Sequence, residues 1–580
     1  MSAEAAAPPP MATAFVSGAE ATYFGTAGRR LFGWYHPAEQ ATRGVVICSP
    51  VGEESTGWHR AGRHWAEGLA NAGIAVLRFD YHGTGDSLGD LGDRDNVHAW
   101  VESVADASEY LRGRAGALHI VVAGLRLGTT LALASAVEHG RVDGLILWAP
   151  YISGKAWIRE ARAFTRLMAP TIPSGREVHA THEQFGGLAL TEETVSELAV
   201  LDPLHGSPHL PLPVLLIPRD SGANHAALGD RLMKAGATVE REVLDGYASV
   251  VTDASQGRVP HDVIQGSIVW IDRHFVRAGA TASSGGRPNQ HSTEGPGGVS
   301  VTAAANELSE RLLRFGEHQL FGIMTKSQMA PRRRTGVLLV NSGAVYRVGP
   351  NRLYVTLARE WAKFGYSVLR MDLSGLGDSP SLGTANENHP YPEHATRDVA
   401  AGIAALRDAG AERVVVAGLC SGAHTTFHAA LELDDLDGAF LINPVVFYWK
   451  PSDPLEVGAW PASVESRKYT STPRHRTRDL IRATIAALRR RLVSSAPVEN
   501  VPHDLTQIAA RGTDVLLLFS DGDRGHDFLT QNYTRELRQL SQLKNFRIQV
   551  LRDADHTFTA LNARERATSI LTEHLLAHHP

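Results

Sequence analysis

Cysteine is the scarcest chemistry in this chain: 580 residues hold two, Cys48 and Cys420. Two cysteines cannot make a disulfide scaffold, and so low a usage suits a reducing compartment. Long apolar runs are missing too. No stretch reaches the roughly 18 uninterrupted apolar residues that a membrane span requires. Met1 to Pro10, rich in alanine and proline, has neither the basic segment nor the apolar run of an export signal. A cytoplasmic protein is expected. Charge of one sign is not in excess either, since 57 Lys and Arg stand against 62 Asp and Glu, a net −5 with pI near 6.6. That balance offers no general attraction to nucleic acid or to an anionic membrane. His424, His526 and His556 raise the question of a metal, but no compact His, Cys and carboxylate cluster with ligand spacing accompanies them. Neither a metal nor another cofactor is expected.

What the chain does have is an ordinary globular composition, 43% apolar and 21% charged, at a length beyond one core. Single cores rarely grow past about 250–300 residues. The extra length is an internal duplication. Gly44-Val45-Val46-Ile47-Cys48-Ser49 matches Gly336-Val337-Leu338-Leu339-Val340-Asn341, 292 positions later. The same offset relates Val76-Leu77-Arg78-Phe79-Asp80 to Val368-Leu369-Arg370-Met371-Asp372, and Gly83-Thr84-Gly85-Asp86-Ser87 to Gly375-Leu376-Gly377-Asp378-Ser379. Trp148-Ala149-Pro150 answers Ile442-Asn443-Pro444 at an offset of 294, and Val214-Leu215-Leu216 answers Val515-Leu516-Leu517. Agreement in order, spacing and residue type over this length makes two copies of one fold.

The boundaries follow from composition. Residues 1–17 read as a disordered N-terminus, 18–277 as the first copy, 278–305 as a flexible linker and 306–580 as the second copy. The linker holds Ser-Gly-Gly-Arg-Pro and Gly-Pro-Gly-Gly with no apolar period, so it cannot bury enough surface to fold. In the second copy, strands near 336–341, 366–372, 413–418 and 437–443 alternate with helices near 350–365, 394–409 and 422–433. Leucine-rich and β-branched runs without alternation suit strands buried on both faces of a parallel sheet, with the helices covering it. After Pro444 the pattern breaks until Val515, and the first copy has a similar insertion from about Ser153 to Pro211.

The chemistry gathers at strand ends. Gly418-Leu419-Cys420-Ser421-Gly422 follows the apolar run Val414 to Ala417 and precedes a helix, the pattern of a nucleophile elbow. Ser421 is one position off the apex, so its amide rather than its hydroxyl is the useful group, as an oxyanion donor. Its partner is expected in Asn341-Ser342-Gly343-Ala344, at Gly343 or Ala344. The equivalent elbow in the first copy reads Gly124-Leu125-Arg126-Leu127-Gly128, and a guanidinium cannot act as a nucleophile. A buried Arg126 needs an anionic partner, and Glu53 or Glu54 is a candidate. The alternative is that Arg126 reads a carboxylate or phosphate on a ligand. The loop Val243 to Ser249 carries no histidine in register, and His261, a dozen residues on, is a poor substitute.

Both elbows and both insertions resemble the α/β-hydrolase superfamily, which implies two tandem α/β-hydrolase domains, each a mostly parallel sheet flanked by helices with a lid insertion. The chain order nucleophile, acid, histidine then implies Cys420 as nucleophile and His556 as base. Asp523, in Ser520-Asp521-Gly522-Asp523, is expected as the orienting acid, with Asp521 the runner-up. Gly418-Leu419-Cys420, Ala554-Asp555-His556-Thr557-Phe558 and Asn341-Ser342-Gly343 with Tyr346-Arg347-Val348-Gly349 resemble hydrolases encoded alongside exosortase-type polysaccharide systems. The first elbow, with Leu147 to Pro150 and Ser153-Gly154-Lys155, resembles their second, arginine-bearing type. Dienelactone hydrolases also place cysteine in such an elbow. These resemblances imply acyl hydrolysis of an ester or thioester, or acyl transfer to an amine or alcohol, against the rival of a non-catalytic binding scaffold. Arginines between Arg474 and Arg491 lie on an expected lid helix, as a solvated face or as a docking surface for a carrier protein or coenzyme A.

Overall fold

The computed structural model describes residues 18–26, 28–168, 182–219, 223–275, 300–302, 308–383, 387–450 and 499–580. They divide into two compact units. One draws on residues within 1–160, 192–252 and 257–292, the other on residues within 161–191, 253–256 and 293–580. The hairpin His182–Phe185 with Leu188–Thr191 therefore belongs to the second unit, although it lies in the first copy of the sequence.

The first unit is built on an eight-stranded sheet in the order Glu20–Phe24, Leu31–His36, Ala75–Phe79, Arg43–Cys48, His119–Leu125, Gly144–Trp148, Pro213–Ile217 and Thr238–Arg241. The first two strands run antiparallel to their neighbours and the rest are parallel. The second unit repeats that order with Leu308–Phe315, Leu320–Ser327, Ser367–Met371, Thr335–Val340, Arg413–Leu419, Gly438–Ile442, Asp514–Ser520 and Phe546–Leu551. Its ninth strand, Ser300–Thr302, pairs antiparallel on the outer edge, inside the segment expected as linker. The rest of that segment, residues 1–17 and the expected lid with Arg474 to Arg491 lie outside the described residues.

Sequence explains why the central strands are continuous apolar runs. In Arg413–Leu419 the side chains of Val414 and Val416 enter one core and those of Val415 and Ala417 the other. Thr335–Val340 divides the same way, with Leu338 and Val340 on one face and Val337 and Leu339 on the other. Side chains alternate across a strand, so a strand covered on both faces must be apolar at every position. One face is covered by Ala395–Asp408 and Ser421–Glu432. The other is covered by Leu353–Lys363, whose Leu353, Tyr354, Leu357, Ala358 and Trp361 recur on one helical stripe.

At the C-terminal ends of these strands a buried ion cluster ties two loops together. Arg347 donates from its backbone N–H to Asp372 Oδ1 (2.7 Å), and from Nη1 to Asp372 Oδ2 (2.8 Å) and Asp378 Oδ2 (2.7 Å). Asn341 Nδ2 donates to the same Asp372 Oδ1 (3.0 Å), while its Oδ1 accepts from Leu373 N–H (2.7 Å). The turn after Asn341 is thus locked to the Gly375–Ser379 loop. Removing one member of a buried pair leaves the others charged without compensation. Arg347→Ala should therefore lower the unfolding free energy of the second unit by about 3–5 kcal/mol, read as an earlier urea midpoint. An unchanged midpoint would show that Asp372 and Asp378 are satisfied without it.

Candidate active site

Strand Arg413–Leu419 ends in a turn whose apex, Cys420, has φ 60° and ψ −114°. The next residue begins the helix Ser421–Glu432. Such a conformation costs a non-glycine residue on the order of 1–3 kcal/mol, so the surroundings must impose it. Cys420 N–H donates to Ile442 O (2.9 Å) on the neighbouring strand, and Leu419 N–H donates to Tyr354 Oη (2.9 Å). A Cβ on Gly418 would lie 2.2 Å from Gly422 O, and one on Gly422 2.4 Å from Asn341 O. Only glycine fits at either place.

The thiol meets a histidine held from behind. His556 Nδ1 bonds Asp523 Oδ2 (2.7 Å). Asp523 caps the helix Arg524–Asn532, its Oδ1 accepting from Gly525 N–H (2.9 Å), so both carboxylate oxygens are fixed. Asp521 is exposed and takes no part; its N–H donates to Leu551 O (2.9 Å). His556 Nε2 is buried without a hydrogen bond of normal geometry, and the Cys420 thiol is its neighbour. Burial pulls the imidazolium pKa down, but the neighbouring Cys420 sulfur and the bond to Asp523 outweigh it and push the value up to about 10. The other cysteine differs completely. Cys48 lies within a core strand, and burial pushes its thiol up to about 12.

The oxyanion turn is arranged differently from expectation. Gly343 N–H donates to Ser421 Oγ (2.8 Å), so this amide is already engaged. Among the described residues Ala344 N–H has no such acceptor. Ser421 Oγ accepts that bond, and Ser421 is buried. Ser421 N–H sits in the first helical turn, where amides have no intrahelical acceptor.

One contributor was not read from the sequence at all. Asn443 Nδ2 donates to His556 O (2.7 Å) and Ser520 Oγ (2.9 Å). Ser520 N–H returns a bond to Asn443 Oδ1 (2.6 Å), and Ser520 Oγ donates to Asp555 O (2.7 Å). The pair clamps the acid loop to the histidine loop. Its signal was present in Ile442-Asn443-Pro444, a polar residue at a strand end where the first copy has Ala149. The backbone is the same in both, φ 44° at Asn443 and 47° at Ala149.

Two family profiles match, one to each half: residues 39–267 match one described as serine aminopeptidase, S33, and residues 337–568 one described as the alpha/beta hydrolase family. The chain carries two α/β-hydrolase domains in tandem. A search of curated proteins by sequence finds no match. Similar solved structures include DcsB in complex with its substrate analogue (15% identity, 44% of this chain, 99% of that one, TM-score 0.34). Est1E from Butyrivibrio proteoclasticus with ferulic acid bound gives 16%, 44%, 100% and 0.33, and an esterase from Pyrococcus furiosus 16%, 45%, 91% and 0.32. At these values the likeness bears on neither substrate nor mechanism.

In the first α/β-hydrolase domain the same elbow, φ 58° and ψ −123°, presents Arg126. Its Nε donates to Glu54 Oε1 (2.9 Å), and its Nη2 to Tyr151 Oη and Glu160 Oε1. The guanidinium lies 4.1 Å from the Tyr151 ring centroid and 5.5 Å from that of Tyr247, which stands in the loop that would carry the histidine. Arg219, in the acid loop, donates to Glu160 (3.1 Å). Glu53 or Glu54 was anticipated as the partner of Arg126, and the structure pairs it with Glu54; Glu160 and Arg219 were not anticipated. Burial raises the pKa of Glu54 while Arg126 lowers it, and the balance remains raised. His261 begins the helix His261–His274 and is exposed. Two groups of mostly exposed side chains in this domain, His98 with Glu102 and Glu138, and Asp95 with Glu193 and Glu197, have ligand-type atoms within 4.8 Å of one another. Glu102 already pairs with Arg29 and His139, and surface carboxylates gather in this way without a metal.

Two measurements test this geometry. An adjoining anion favours the imidazolium, so the His556 ring should titrate near pH 10 by histidine-selective NMR. In Cys420→Ala the midpoint should fall toward the ordinary histidine value near 6.5; an unchanged midpoint would remove the thiolate as its cause. Asn443→Ala should lower kcat about 100-fold with little change in KM, because the His556 loop loses its tether. Full activity in that variant would make the clamp irrelevant to catalysis.

Proposed function

We propose that the second domain is a cysteine-dependent acyl hydrolase, cleaving an ester or thioester through a covalent acyl-enzyme. The observation that carries this reading is His556, bonded at Nδ1 to Asp523 and with the Cys420 thiol as the neighbour of its buried Nε2. In this mechanism Cys420 Sγ attacks the acyl carbonyl carbon, forming a C–S bond and an oxyanion. The Ser421 and Ala344 amides receive that oxyanion, each donor of this kind being worth about 2.7–4 kcal/mol. The bond to the leaving group breaks as His556 Nε2 delivers its proton to the departing oxygen or sulfur. Neutral His556, still oriented by Asp523, then takes a proton from water as that water attacks the thioester. A second tetrahedral intermediate collapses, the carboxylic acid leaves, and the thiolate and imidazolium are restored.

Because the acyl-enzyme is itself a thioester, its formation from a thioester substrate is nearly balanced. Capture by an amine or alcohol in place of water would make the same site an acyltransferase. The resemblance to exosortase-associated hydrolases supports acyl chemistry and fixes no substrate. The basic stretch that would dock a carrier protein or coenzyme A lies outside the described residues, so a carrier-bound donor gains no support. The first domain is read as non-hydrolytic, since its elbow offers a cation held by two glutamates.

Incubation with p-nitrophenyl acyl esters and acyl thioesters, followed by intact and peptide mass spectrometry, should reveal an acyl adduct on Cys420. Cys420→Ala should abolish both adduct and turnover. Turnover equal to wild type in that variant would overturn the reading. Added amine or alcohol acceptors would divert product if transfer competes with hydrolysis.

A further inference from the structure

One turn beyond the nucleophile, on the same helix, lies His424, whose N–H donates to Cys420 O (3.2 Å). The His424 ring meets Tyr391 edge-on, with centroids 5.0 Å apart at 80°. Tyr391 in turn stacks on Trp449 at 5.4 Å and 8°, and His389 closes the far side of Trp449 at 4.8 Å. The result is a continuous wall of rings leading away from the elbow helix.

Two polar atoms in this wall are buried and uncommitted. Among the described residues His424 Nδ1 and Trp449 Nε1 have no hydrogen-bond partner. A buried donor or acceptor left unsatisfied loses its hydration without compensation. The adjacent His428 shows that the surroundings can satisfy an imidazole, since its Nε2 bonds Phe447 O (2.8 Å). His424 carries no charge at neutral pH, because burial, and then the neighbouring His428, pull its pKa down to about 3. It therefore offers one donor and one acceptor, and no attraction for an anion. Trp449 offers a donor alone.

We propose that Tyr391, His424 and Trp449 form an acyl-recognition subsite for an uncharged acyl group carrying a hydroxyl, a proposal that rests on the Cys420 acyl-enzyme reading. The hydroxyl exchanges hydrogen bonds with His424 Nδ1 and Trp449 Nε1, while the carbon chain lies along the rings. A site built to hydrogen-bond a substrate group discriminates strongly against the analogue that lacks it. An acyl group ending in a carboxylate is disfavoured, because the wall gives its charge no counter-ion.

The test uses the full chain and three N-acetylcysteamine thioesters of matched length, butyryl, 3-hydroxybutyryl and succinyl. Wild type should favour 3-hydroxybutyryl over butyryl by about tenfold or more in kcat/KM, with succinyl the slowest. His424→Leu should bring the hydroxyacyl rate down to the butyryl rate while changing butyryl turnover less than about threefold. Trp449→Phe, which keeps the ring and loses the donor, should remove part of the preference at an unchanged melting temperature. Absence of a hydroxyacyl preference in wild type, or an equal loss on all three substrates in the variants, would overturn the subsite. The mass of the Cys420 adduct separates the two readings. An adduct formed without preference sinks the subsite alone, and no adduct from any thioester sinks the acyl-enzyme reading beneath it.

Discussion

The backbone at the two elbows is the constraint from which the remainder follows. Cys420 and Arg126 both occupy positive φ with ψ near −120°, a region that side chains avoid. The strain is imposed by a strand that must end and a helix that must begin within one residue. Close packing makes this possible, with Gly418 against Gly422 and Gly422 against Asn341 O. The first elbow repeats it, where a Cβ on Gly128 would lie 2.4 Å from Cys48 O. A side chain so placed stands clear of the sheet with a helix N-terminus beneath it. That geometry suits an anion or a nascent oxyanion, whatever residue supplies the chemistry.

Around Cys420 the strain is matched by fixed charge. Asp523 spends one oxygen on its own helix and the other on His556, so the imidazole has a set tautomer and little freedom to turn. Asn443 and Ser520 hold the two loops that carry these groups. Arg347, with Asp372 and Asp378, secures the turn that brings Ala344 toward the elbow. None of these contacts reaches the thiol. In the proposed acyl-enzyme mechanism their effect is to remove the reorganisation that the developing charge would otherwise demand.

Legibility in the sequence followed the range of the interaction. The duplication, the alternation of strands and helices and the elbow glycines are local signals, and the chain displays them openly. Asp523 was preferred to Asp521 on its place in the loop and its likeness to a hydrolase turn, and in the structure Asp523 bonds His556. What could not be read depends on folding. Asn443 touches residues 77 and 113 positions away, and Gly343 lost its amide to Ser421 Oγ, 78 positions away. The edge strand Ser300–Thr302 has too little apolar content to stand out from the linker composition around it; pairing with Leu308–Phe315 makes it a strand.

The comparison between copies separates what the fold requires from what chemistry requires. Elbow backbone, sheet order and the positive φ after the fourth parallel strand are common to both, down to Ala149 against Asn443. The side chains are not. Cysteine becomes arginine at the apex, the tethering asparagine becomes alanine, the acid loop carries Arg219, and Tyr247 stands in the loop that would bear the histidine. Once the apex bears a permanent cation, the site needs acids rather than bases. Glu54 and Glu160 are there, bonded to Arg126, with Tyr151 and Tyr247 lending their ring faces to the same charge. The first site thus holds a buried cation bonded to two glutamates where the second has a thiol beside a histidine. The strained apex is present in both copies because the packing that enforces it belongs to the fold.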